Sequence, residues 1–426
     1  MRILYLVSGR DALWGGATIR DAAFVRGLRL LGHEVEALSI AGHALVDGTP
    51  EDSDLFSNMA SGRFKTMFPR LVKVPTTIAG LIKKPRPVRN MTSFAVAGYV
   101  DKDGPLAVAV LSGRDKKLRR EYLRTLEYIK TKNMRFDILV LSNAMLSGMA
   151  EPLGSTLGCP VVCLTQGSDR YVEELAEPYR SDARKLVRKN ARNFAKAIAT
   201  SRFFAIRATE FLALPPSRVT VVTPGIDVER FTGSKARVRK PFVVGFLSPI
   251  HHRTGLDIIV DAVDSLNKSC KTNIQLWIGG QVADDRYWQR VRRRLESTSL
   301  KDGYRVFGPL DTRARRDFYQ EISTLAIAPR EPESKGIIPL EAMSMGIPVV
   351  APSTGIVPEL FHLVKGGLLV SPELPVWMYA KSFELLSSIP ETADKMGETA
   401  AEGVRAHFTM EAAAARLAEE LETTLN

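Results

Sequence analysis

The sequence has few cysteines and no long apolar run. Its 426 residues include three cysteines, an odd and sparse set that offers no disulfide framework and indicates a reducing compartment. No stretch approaches the roughly 18 apolar residues that a membrane-spanning helix needs. Residues 1–9 are apolar but short and lack a cleavage-like segment, so they predict a first buried strand instead of a signal peptide. These absences favour a cytoplasmic globular protein.

Charge is distributed unevenly along the chain, whose formal net charge is +12. Residues 1–215 hold 33 Lys and Arg against 21 Asp and Glu, whereas residues 216–426 hold 26 of each. The excess predicts an anionic partner for the first half. Zinc-finger spacing, a helix-turn-helix pattern and an aromatic RNA-binding strand are all missing, so nucleic acid is not expected. A phosphate-bearing acceptor and an anionic membrane surface both remain open.

The length and the periodicity together predict an α/β protein of two domains. A chain of 426 residues exceeds what one hydrophobic core usually supports. Short buried-type strands alternate with amphipathic helices in both halves, which is the pattern of doubly wound parallel sheets. We therefore expect two Rossmann-like sheets, one in each half of the chain.

Residues 329–352 hold the most informative pattern in the sequence. They predict a loop, a helix ending at Gly346 and a buried strand, and they follow another short strand. Glu333 lies in the loop and Glu341 in the helix, so both carboxylates can face a ligand at the start of the helix. A helix N-terminus beyond the carboxyl end of a strand is suited to bind an anion.

This pattern resembles the retaining glycosyltransferases of family 4. The family hallmark is a pair of glutamates separated by seven residues, followed by alanine and a Gly-x-Pro-Val-Val strand. The matching residues are Glu333, Glu341, Ala342, Gly346, Pro348, Val349 and Val350. A second family passage, Pro-Gly-x-Asp followed by Phe, is matched at residues 224–227 and at Phe231. The resemblance covers nearly the whole chain, is weakest at residues 44–112, and implies the GT-B fold of two Rossmann-like domains facing across a cleft.

The resemblance also implies domain boundaries. It places the linker near residues 228–240, where residues 233–235 and 240–241 have loop composition. We therefore predict an acceptor-side domain at residues 1–230 and a domain that binds the nucleotide-sugar at residues 238–405. Residues 408–426 predict a terminal helix, which in this architecture returns to the first domain.

The resemblance further implies roles for the residues around the paired glutamates. Glu341 would hydrogen-bond the nucleotide ribose, and Glu333 would act as a catalytic residue that contacts hydroxyls of the transferred sugar. Backbone N–H groups and the dipole of the helix would stabilise the departing diphosphate. The other donor-binding residues predicted here are Phe307 and Gly308 beside the base, with Lys335, Gly336, Ile337 and Ile338 beside the phosphates.

Two departures from the family pattern affect this prediction. Phe246 stands where the family has an arginine that neutralises the diphosphate, and Arg253 is predicted to replace it as a donor-binding and catalytic cation, with Arg330 and Lys335 as helpers. Gln166, the third residue predicted for the catalytic site, stands where the family has a histidine, so it could hydrogen-bond a sugar but could not act as a base. No metal or other cofactor is expected, because the family works without one and no dense carboxylate cluster is present.

Two further segments remain open to two interpretations each. Gly15 and Gly16 match the family's glycine pair beneath the donor phosphates or the acceptor, although they also fit a plain tight turn. They do not form a dinucleotide fingerprint, because the G-x-G-x-x-G spacing is absent. Residues 63–89 carry eight Lys and Arg interleaved with phenylalanines and leucines, and could lie on anionic lipid or form a solvated loop.

The sequence therefore predicts a retaining glycosyltransferase. It would move a sugar from a nucleotide-diphospho-sugar to a glycan or lipid-linked acceptor, at the inner face of the cell membrane and in polysaccharide synthesis. The first alternative is another enzyme of the same fold, an epimerase or a phosphorylase. The second is a non-catalytic protein that binds a nucleotide-sugar, which the losses at Phe246 and Gln166 would allow.

Overall fold

The computed structural model describes residues 1–7, 16–39, 57–58, 103–232 and 241–425. Within these ranges the chain forms two parallel β-sheets, the first of seven strands and the second of six. Helices alternate with the strands along both halves. This arrangement confirms the predicted α/β class with two Rossmann-like, doubly wound sheets.

The first sheet has the order β3-β2-β1-β4-β5-β6-β7. Its strands are β1 Arg2–Val7, β2 Glu34–Ser39, β3 Ser57–Asn58, β4 Ile138–Leu141, β5 Val161–Leu164, β6 Lys196–Ala199 and β7 Val219–Val221. The helices described in this half are α1 Gly16–Leu30, α2 Gly104–Leu111, α3 Lys116–Thr131, α4 Ala150–Leu157, α5 Ser168–Glu173, α6 Tyr179–Ala191 and α7 Arg202–Leu212.

The second sheet has the order β10-β9-β8-β11-β12-β13. Its strands are β8 Val243–Leu247, β9 Gln275–Gly279, β10 Tyr304–Gly308, β11 Thr324–Ala326, β12 Val349–Pro352 and β13 Gly367–Val370. The helices of this half are α8 Leu256–Cys270, α9 Asp285–Glu296, α10 Thr312–Glu321, α11 Ile337–Ser344, α12 Val357–Val364, α13 Pro375–Ser388, α14 Pro390–His407 and α15 Met410–Leu425. The predicted domain boundary, between residues 230 and 238, falls between the last strand of one sheet and the first strand of the other.

The inner strands of both sheets are buried on their two faces, as their unbroken apolar runs require. In β1, Leu4 and Leu6 pack into one core cluster while Ile3 and Tyr5 pack into the cluster on the opposite face. The second sheet shows the same alternation between its two clusters. This burial explains why apolar runs, and not alternating patterns, marked the strands in the sequence.

The strand orders place two ligand crevices at one cleft. In doubly wound sheets, ligands bind beyond the carboxyl ends of strands where the strand order reverses. The reversal lies between β1 and β4 in the first sheet and between β8 and β11 in the second. The segments that follow these four strands carry Gly16, Ser142, Arg253 and Glu333. Three of these residues were predicted from the sequence to belong to the site, and all four lie where the strand order reverses.

The terminal helix α15 packs against α1 of the first half. A Cβ atom added to Gly27 of α1 would lie 2.4 Å from the Cβ of Ala414, so the two helices are in close contact. The chain reaches α15 through a backbone bridge in which Ile226 N donates to Phe408 O at 2.9 Å and Met410 N donates to Ile226 O at 2.8 Å. The segment around Ile226 therefore joins the two domains and the terminal helix.

Further contacts join the domains beside the cleft. The Thr200 hydroxyl, after β6, donates to the carbonyl of Ser334 at 2.5 Å. Glu359 of α12 accepts hydrogen bonds from the backbone N–H groups of Arg202 and Phe203 at 3.0 and 3.1 Å, so a carboxylate of the second domain caps helix α7 of the first. Gly15, the basic segment 63–89 and residues 233–240 lie outside the residues that the structure describes.

The bridge at Ile226 predicts the effect of a substitution at its neighbour Gly225. A Cβ atom on Gly225 would lie 2.2 Å from the carbonyl oxygen of Thr409, a backbone atom that cannot move without shifting α15. Gly225→Ala is therefore expected to lower the free energy of unfolding by about 1–3 kcal/mol, measured by denaturant titration. Gly303→Ala is the control, because its nearest heavy atoms would lie 3.8 Å away. Equal stability of the two variants would contradict the observed bridge.

Candidate active site

Glu333 lies in the loop between β11 and α11, at the carboxyl edge of the second sheet. Its Oε1 accepts hydrogen bonds from the backbone N–H groups of Lys335 and Gly336 at 2.9 and 3.2 Å. Gly336 adopts a left-handed conformation, with φ of 68°, and forms the N-cap of α11. The Glu333 carboxylate is thus fixed at the start of this helix, as the sequence pattern predicts, and its catalytic role stays a prediction.

Glu341 is buried within α11, with 1% of its surface exposed. Arg315 of α10 donates from Nε to Glu341 Oε2 at 2.9 Å and from Nη2 to Oε1 at 3.0 Å. The Tyr319 hydroxyl donates to the same Oε2 at 3.0 Å. This two-pronged geometry is the strong form of an arginine–carboxylate pair. It fixes the Glu341 carboxylate and compensates its charge inside the protein.

The Arg315–Glu341 pair borders a small cavity of about 40 Å³. Its walls come from α1, the segment from Ile226 to Phe231, and the start of α10, with Glu341 of α11 and Met410 of α15 completing the lining. Arg315 was not predicted from the sequence, because it lies in a charged run that is typical of a solvated helix. Its spacing to Phe318 and Tyr319, three and four positions on, could have shown that it shares their buried face.

Arg253 lies in a 3-10 turn that follows β8, at the edge of the cleft. Its Nη2 donates to Glu174 Oε2 of the first domain at 2.7 Å, and its Nε lies 3.8 Å from Glu331 Oε1. Its Nη1 is buried and has no hydrogen-bond acceptor among the described residues. The predicted phosphate cation is therefore in the cleft, with one buried donor left unused.

Two other residues near Arg253, Arg330 and His251, contribute less positive charge to the site than their residue types suggest. The Arg330 guanidinium binds both carboxylate oxygens of Asp257, at 2.9 and 2.7 Å, and also donates to the carbonyl of His252, so it braces the turn that holds Arg253. Burial, together with the charge of Arg253, lowers the pKa of His251 to about 3. His251 is therefore neutral at physiological pH and supplies no charge to a phosphate.

The burial of Phe246 gives a physical reason for one departure from the family pattern. Its side chain is 1% exposed and packs into the second sheet's core, alongside Val244 and Ile278. A charged arginine in this orientation would be buried without a partner, which is costly. The side chain at this position therefore faces the core and not the cleft.

Lys335 lies between the domains at the start of α11. Its Nζ donates to the Ser334 hydroxyl at 3.0 Å, and a Cβ atom added to Gly16 would lie 3.0 Å from its Cδ. Burial lowers the pKa of Lys335; the charge of Glu333 raises it, and those of Arg20 and Arg170 lower it further. The structure thus brings Gly16 and Lys335 together, and their roles in donor binding stay predictions.

Gln166 follows β5 and faces the first domain's side of the cleft. Its Nε2 donates to the carbonyl of Ser142 at 3.3 Å, while its Oε1 is buried without a partner among the described residues. A carbonyl can only accept, so this contact fixes the amide orientation and leaves Oε1 as an acceptor. A sugar hydroxyl could donate a hydrogen bond to this oxygen.

Arg20, one member of a buried charged pair, shares a hydrogen-bond acceptor with Gln166. Arg20 of α1 donates to the same Ser142 carbonyl at 2.9 Å and to Asp21 Oδ1 at 3.0 Å, and the Tyr5 hydroxyl also donates to Asp21 at 2.9 Å. Arg20 and Asp21 are 1% and 4% exposed. Burial raises the pKa of Asp21, which Arg20 opposes. This pair was not predicted from the sequence, although both residues lie in the helix that follows the glycine loop.

Phe307 and Gly308, predicted to flank the base, lie at the end of the edge strand β10. The Phe307 ring is 41% exposed and packs against Trp277 and Phe318, with centroid distances of 5.1 and 5.5 Å. An exposed aromatic face at this edge of the sheet is suited to stack on a planar group. The base-binding role stays a prediction.

Two kinds of feature are absent from the part of the chain that the structure describes. There, no group of three or more His, Cys, Asp or Glu side chains is arranged to hold a metal ion. No helix in the same ranges combines the length and the apolar character needed to cross a bilayer.

Comparison with curated proteins identifies relatives of modest identity. A D-inositol 3-phosphate glycosyltransferase of Segniliparus rotundus is 26% identical over 211 residues, which are 47% of this chain and 46% of the relative. The lipopolysaccharide core biosynthesis mannosyltransferase LpsB of Rhizobium meliloti is 29% identical over 41% of this chain and 49% of the relative. The chain spans about half the length of the curated relatives it matches.

Solved structures match over the whole chain. Anabaena Alr3699/HepE, solved in complex with UDP-glucose, is 16% identical with a TM-score of 0.68, covering 99% of this chain and 100% of that one. Sucrose-phosphate synthase of Thermosynechococcus elongatus is 14% identical with a TM-score of 0.69, covering 99% of both chains. These likenesses show the shared fold and confirm the predicted GT-B architecture.

Two family models divide the chain between them. The model for glycosyltransferase family 4 matches residues 14–230, and the model for group 1 glycosyl transferases matches residues 227–403. The two matches meet where the chain passes from the first domain to the second. The chain therefore belongs to the group 1, family 4 glycosyltransferases.

Proposed function

We propose that this protein is a retaining glycosyltransferase that uses a nucleotide-diphospho-sugar as its donor. The observation that carries the proposal is the arrangement at α11, where the Glu333 carboxylate is fixed at the helix N-terminus and Glu341 is fixed within the same helix by Arg315. Membership of the family and the fold shared with a structure that holds UDP-glucose support the same reading. No metal is part of the proposal.

The donor diphosphate is proposed to bind between α11 and Arg253. The first turn of a helix has backbone N–H groups without intrahelical acceptors and carries a partial positive charge. Arg253 and Lys335 add two cations at this place, and the close approach at Gly16 keeps the floor of the cleft free of a side chain. Such fixed positive groups stabilise the charge that develops on a departing diphosphate.

Glu341 and Glu333 are proposed to hold the two ends of the donor. The Arg315 clamp fixes the Glu341 carboxylate at the cavity wall, where it would accept a hydrogen bond from a ribose hydroxyl. Glu333 lies nearer the start of the helix, where it would contact the transferred sugar. Gln166 would accept a hydrogen bond through Oε1 from a sugar hydroxyl in the cleft. No enzymic base is needed, because the departing phosphate would take the acceptor's proton.

The acceptor is proposed to be phosphate-bearing or lipid-linked and to bind the first domain. One relative is named a D-inositol 3-phosphate glycosyltransferase, and another is named a lipopolysaccharide core biosynthesis mannosyltransferase. The first half of this chain carries the whole net positive charge. Helices α3 and α6 expose several of these cations: Lys116, Arg119, Arg120, Arg124, Lys185 and Lys189.

A sugar-transfer assay tests the proposed reaction and the role of Glu333. Wild-type protein with UDP-, GDP- and ADP-sugars is expected to hydrolyse one donor slowly or to transfer its sugar with the anomeric configuration kept, as read by proton NMR. Glu333→Gln should reduce turnover by about 100-fold, with little change in nucleotide affinity. Glu296→Gln, at an exposed ion pair on α9, is the control. Nucleotide-sugar binding without turnover would favour the non-catalytic alternative, and a sugar phosphate or epimer as product would favour another enzyme of this fold.

The buried pair predicts a separate outcome at Glu341. Glu341→Ala should lower the free energy of unfolding by about 3–5 kcal/mol, because the Arg315 charge is left buried without its partner. It should also weaken nucleoside diphosphate binding by roughly 1.5–3 kcal/mol. The double variant Arg315→Leu with Glu341→Leu should recover stability without recovering affinity, as measured by denaturation and calorimetry. Wild-type affinity in the folded double variant would remove Glu341 from the ribose site.

Vesicle sedimentation tests the proposed membrane surface, which rests on residues 63–89 and therefore lies outside the described structure. Each cation near an anionic surface contributes about 1 kcal/mol, so binding should need anionic lipid and should reverse at high salt. Replacing Lys83, Lys84, Arg86 and Arg89 with Ser should weaken binding. A charge-matched control replaces four exposed cations of the second domain: Arg286, Arg292, Arg293 and Lys301. No binding to anionic vesicles at low salt would leave a soluble acceptor as the remaining proposal.

A further inference from the structure

Four charged side chains form a ring across the cleft, which we call the charge ring. Arg170 and Glu174 belong to the first domain, on and just after α5, whereas Arg253 and Glu331 belong to the second. Arg170 Nε contacts Glu331 Oε2 directly and lies 3.3 Å from Glu174 Oε1. Arg253 contacts Glu174 Oε2 at 2.7 Å and lies 3.8 Å from Glu331 Oε1. Charges alternate around the ring, and each arginine contacts a glutamate from either domain.

The exposure of the ring argues against a purely structural role. The four side chains are between 20% and 32% exposed, and ion pairs in contact with water contribute little to stability. The Glu359 cap on α7, which binds two backbone N–H groups of the first domain, already joins the two domains without the ring. The ring therefore needs another reason for being at this position.

The cations of the charge ring lie beside the proposed diphosphate site. The charge of Arg170 lowers the pKa of both Lys335 and His251, so its guanidinium lies within electrostatic reach of the start of α11 and of the turn that follows β8. Arg253 also keeps a buried Nη1 donor without an acceptor in the described part of the chain. Arg170 and Arg253 thus share two carboxylates, and the charge of Arg170 also acts on Lys335 beside the proposed diphosphate site.

We infer that Arg170 is a diphosphate-binding residue supplied by the first domain, and that Glu174 and Glu331 hold the two arginines until the donor replaces them. This inference rests on the proposed function. Guanidinium groups bind carboxylates and phosphates through the same two-pronged geometry. The diphosphate can therefore take the place of the carboxylates on Arg170 and Arg253 while both cations stay compensated.

This exchange links donor binding to the contact between the domains. Before the donor arrives, Arg253 contacts Glu174 across the cleft, and Arg170 contacts Glu331 in the opposite direction. Once a diphosphate lies between the arginines, it becomes the group that both domains share. Arg170 would then couple donor binding to the domain that holds the acceptor.

Two substitutions separate this role from that of a simple interdomain latch. Arg170→Gln and Glu174→Gln both break the charge ring, so a latch predicts that they act in the same direction. The inference predicts opposite effects on diphosphate binding. Arg170→Gln removes a phosphate contact, whereas Glu174→Gln removes the carboxylate that competes with the phosphates for Arg170 and Arg253.

Calorimetric titration of the full chain with UDP, GDP and ADP, and with the monophosphate of the base that binds best, is the test. Arg170→Gln should weaken diphosphate binding at least tenfold and reduce the ratio of diphosphate to monophosphate affinity by a similar factor. Glu174→Gln should tighten diphosphate binding at least threefold. Arg184→Gln, whose partner Glu173 lies in the same domain, is the matched control and should bind like wild type.

Each remaining result overturns the inference in a recognisable way. Unchanged diphosphate affinity in Arg170→Gln, or weakening in both ring variants, would make the ring a latch and would leave the proposed function standing. Equal losses of monophosphate and diphosphate affinity would place Arg170 away from the terminal phosphate. Failure of wild-type protein to bind any of the three diphosphates would overturn the proposed function together with the inference.

Discussion

Charge compensation where the two domains meet is the constraint on which the rest of this structure depends. Arg170 and Arg253 are balanced by Glu174 and Glu331, and Lys335 at the start of α11 is balanced by Glu333. Cations placed this close repel one another unless anions lie between them. The carboxylates supply those anions within the chain itself, and a donor diphosphate offers the same charge and geometry in their place. The proposed reaction and the proposed role of the charge ring both follow from this balance.

The same principle operates in drier surroundings on either side of the cleft. Arg315 fixes Glu341 beneath the second domain's face of the cleft, and Arg20 fixes Asp21 and the Ser142 carbonyl beneath the first. Buried pairs of this kind contribute little net stability compared with apolar packing, but losing one partner is costly. Their value here is orientation, since each pair holds a polar group at the cleft in one position.

The fold followed closely from the sequence because parallel strands buried on both faces leave unbroken apolar runs. The start of α11 was equally clear, since a left-handed glycine marks each end of its loop and helix: Gly336 before it and Gly346 after it. The partners of the site residues were not clear. Arg315 was hidden in a charged run, and the contact between Arg170 and Glu331 joins segments far apart in sequence. Periodicity reports which face of an element is buried, but it does not report which charges from different elements meet.

A crystal structure of the protein with its preferred nucleoside diphosphate would test the central claim most directly. The account predicts phosphate oxygens within hydrogen-bond distance of Arg253 and of the first backbone N–H groups of α11. It also predicts that the contact between Arg253 and Glu174 is broken and that a ribose hydroxyl lies against Glu341. A nucleotide bound elsewhere, with the charge ring intact and the start of α11 unoccupied, would contradict the account.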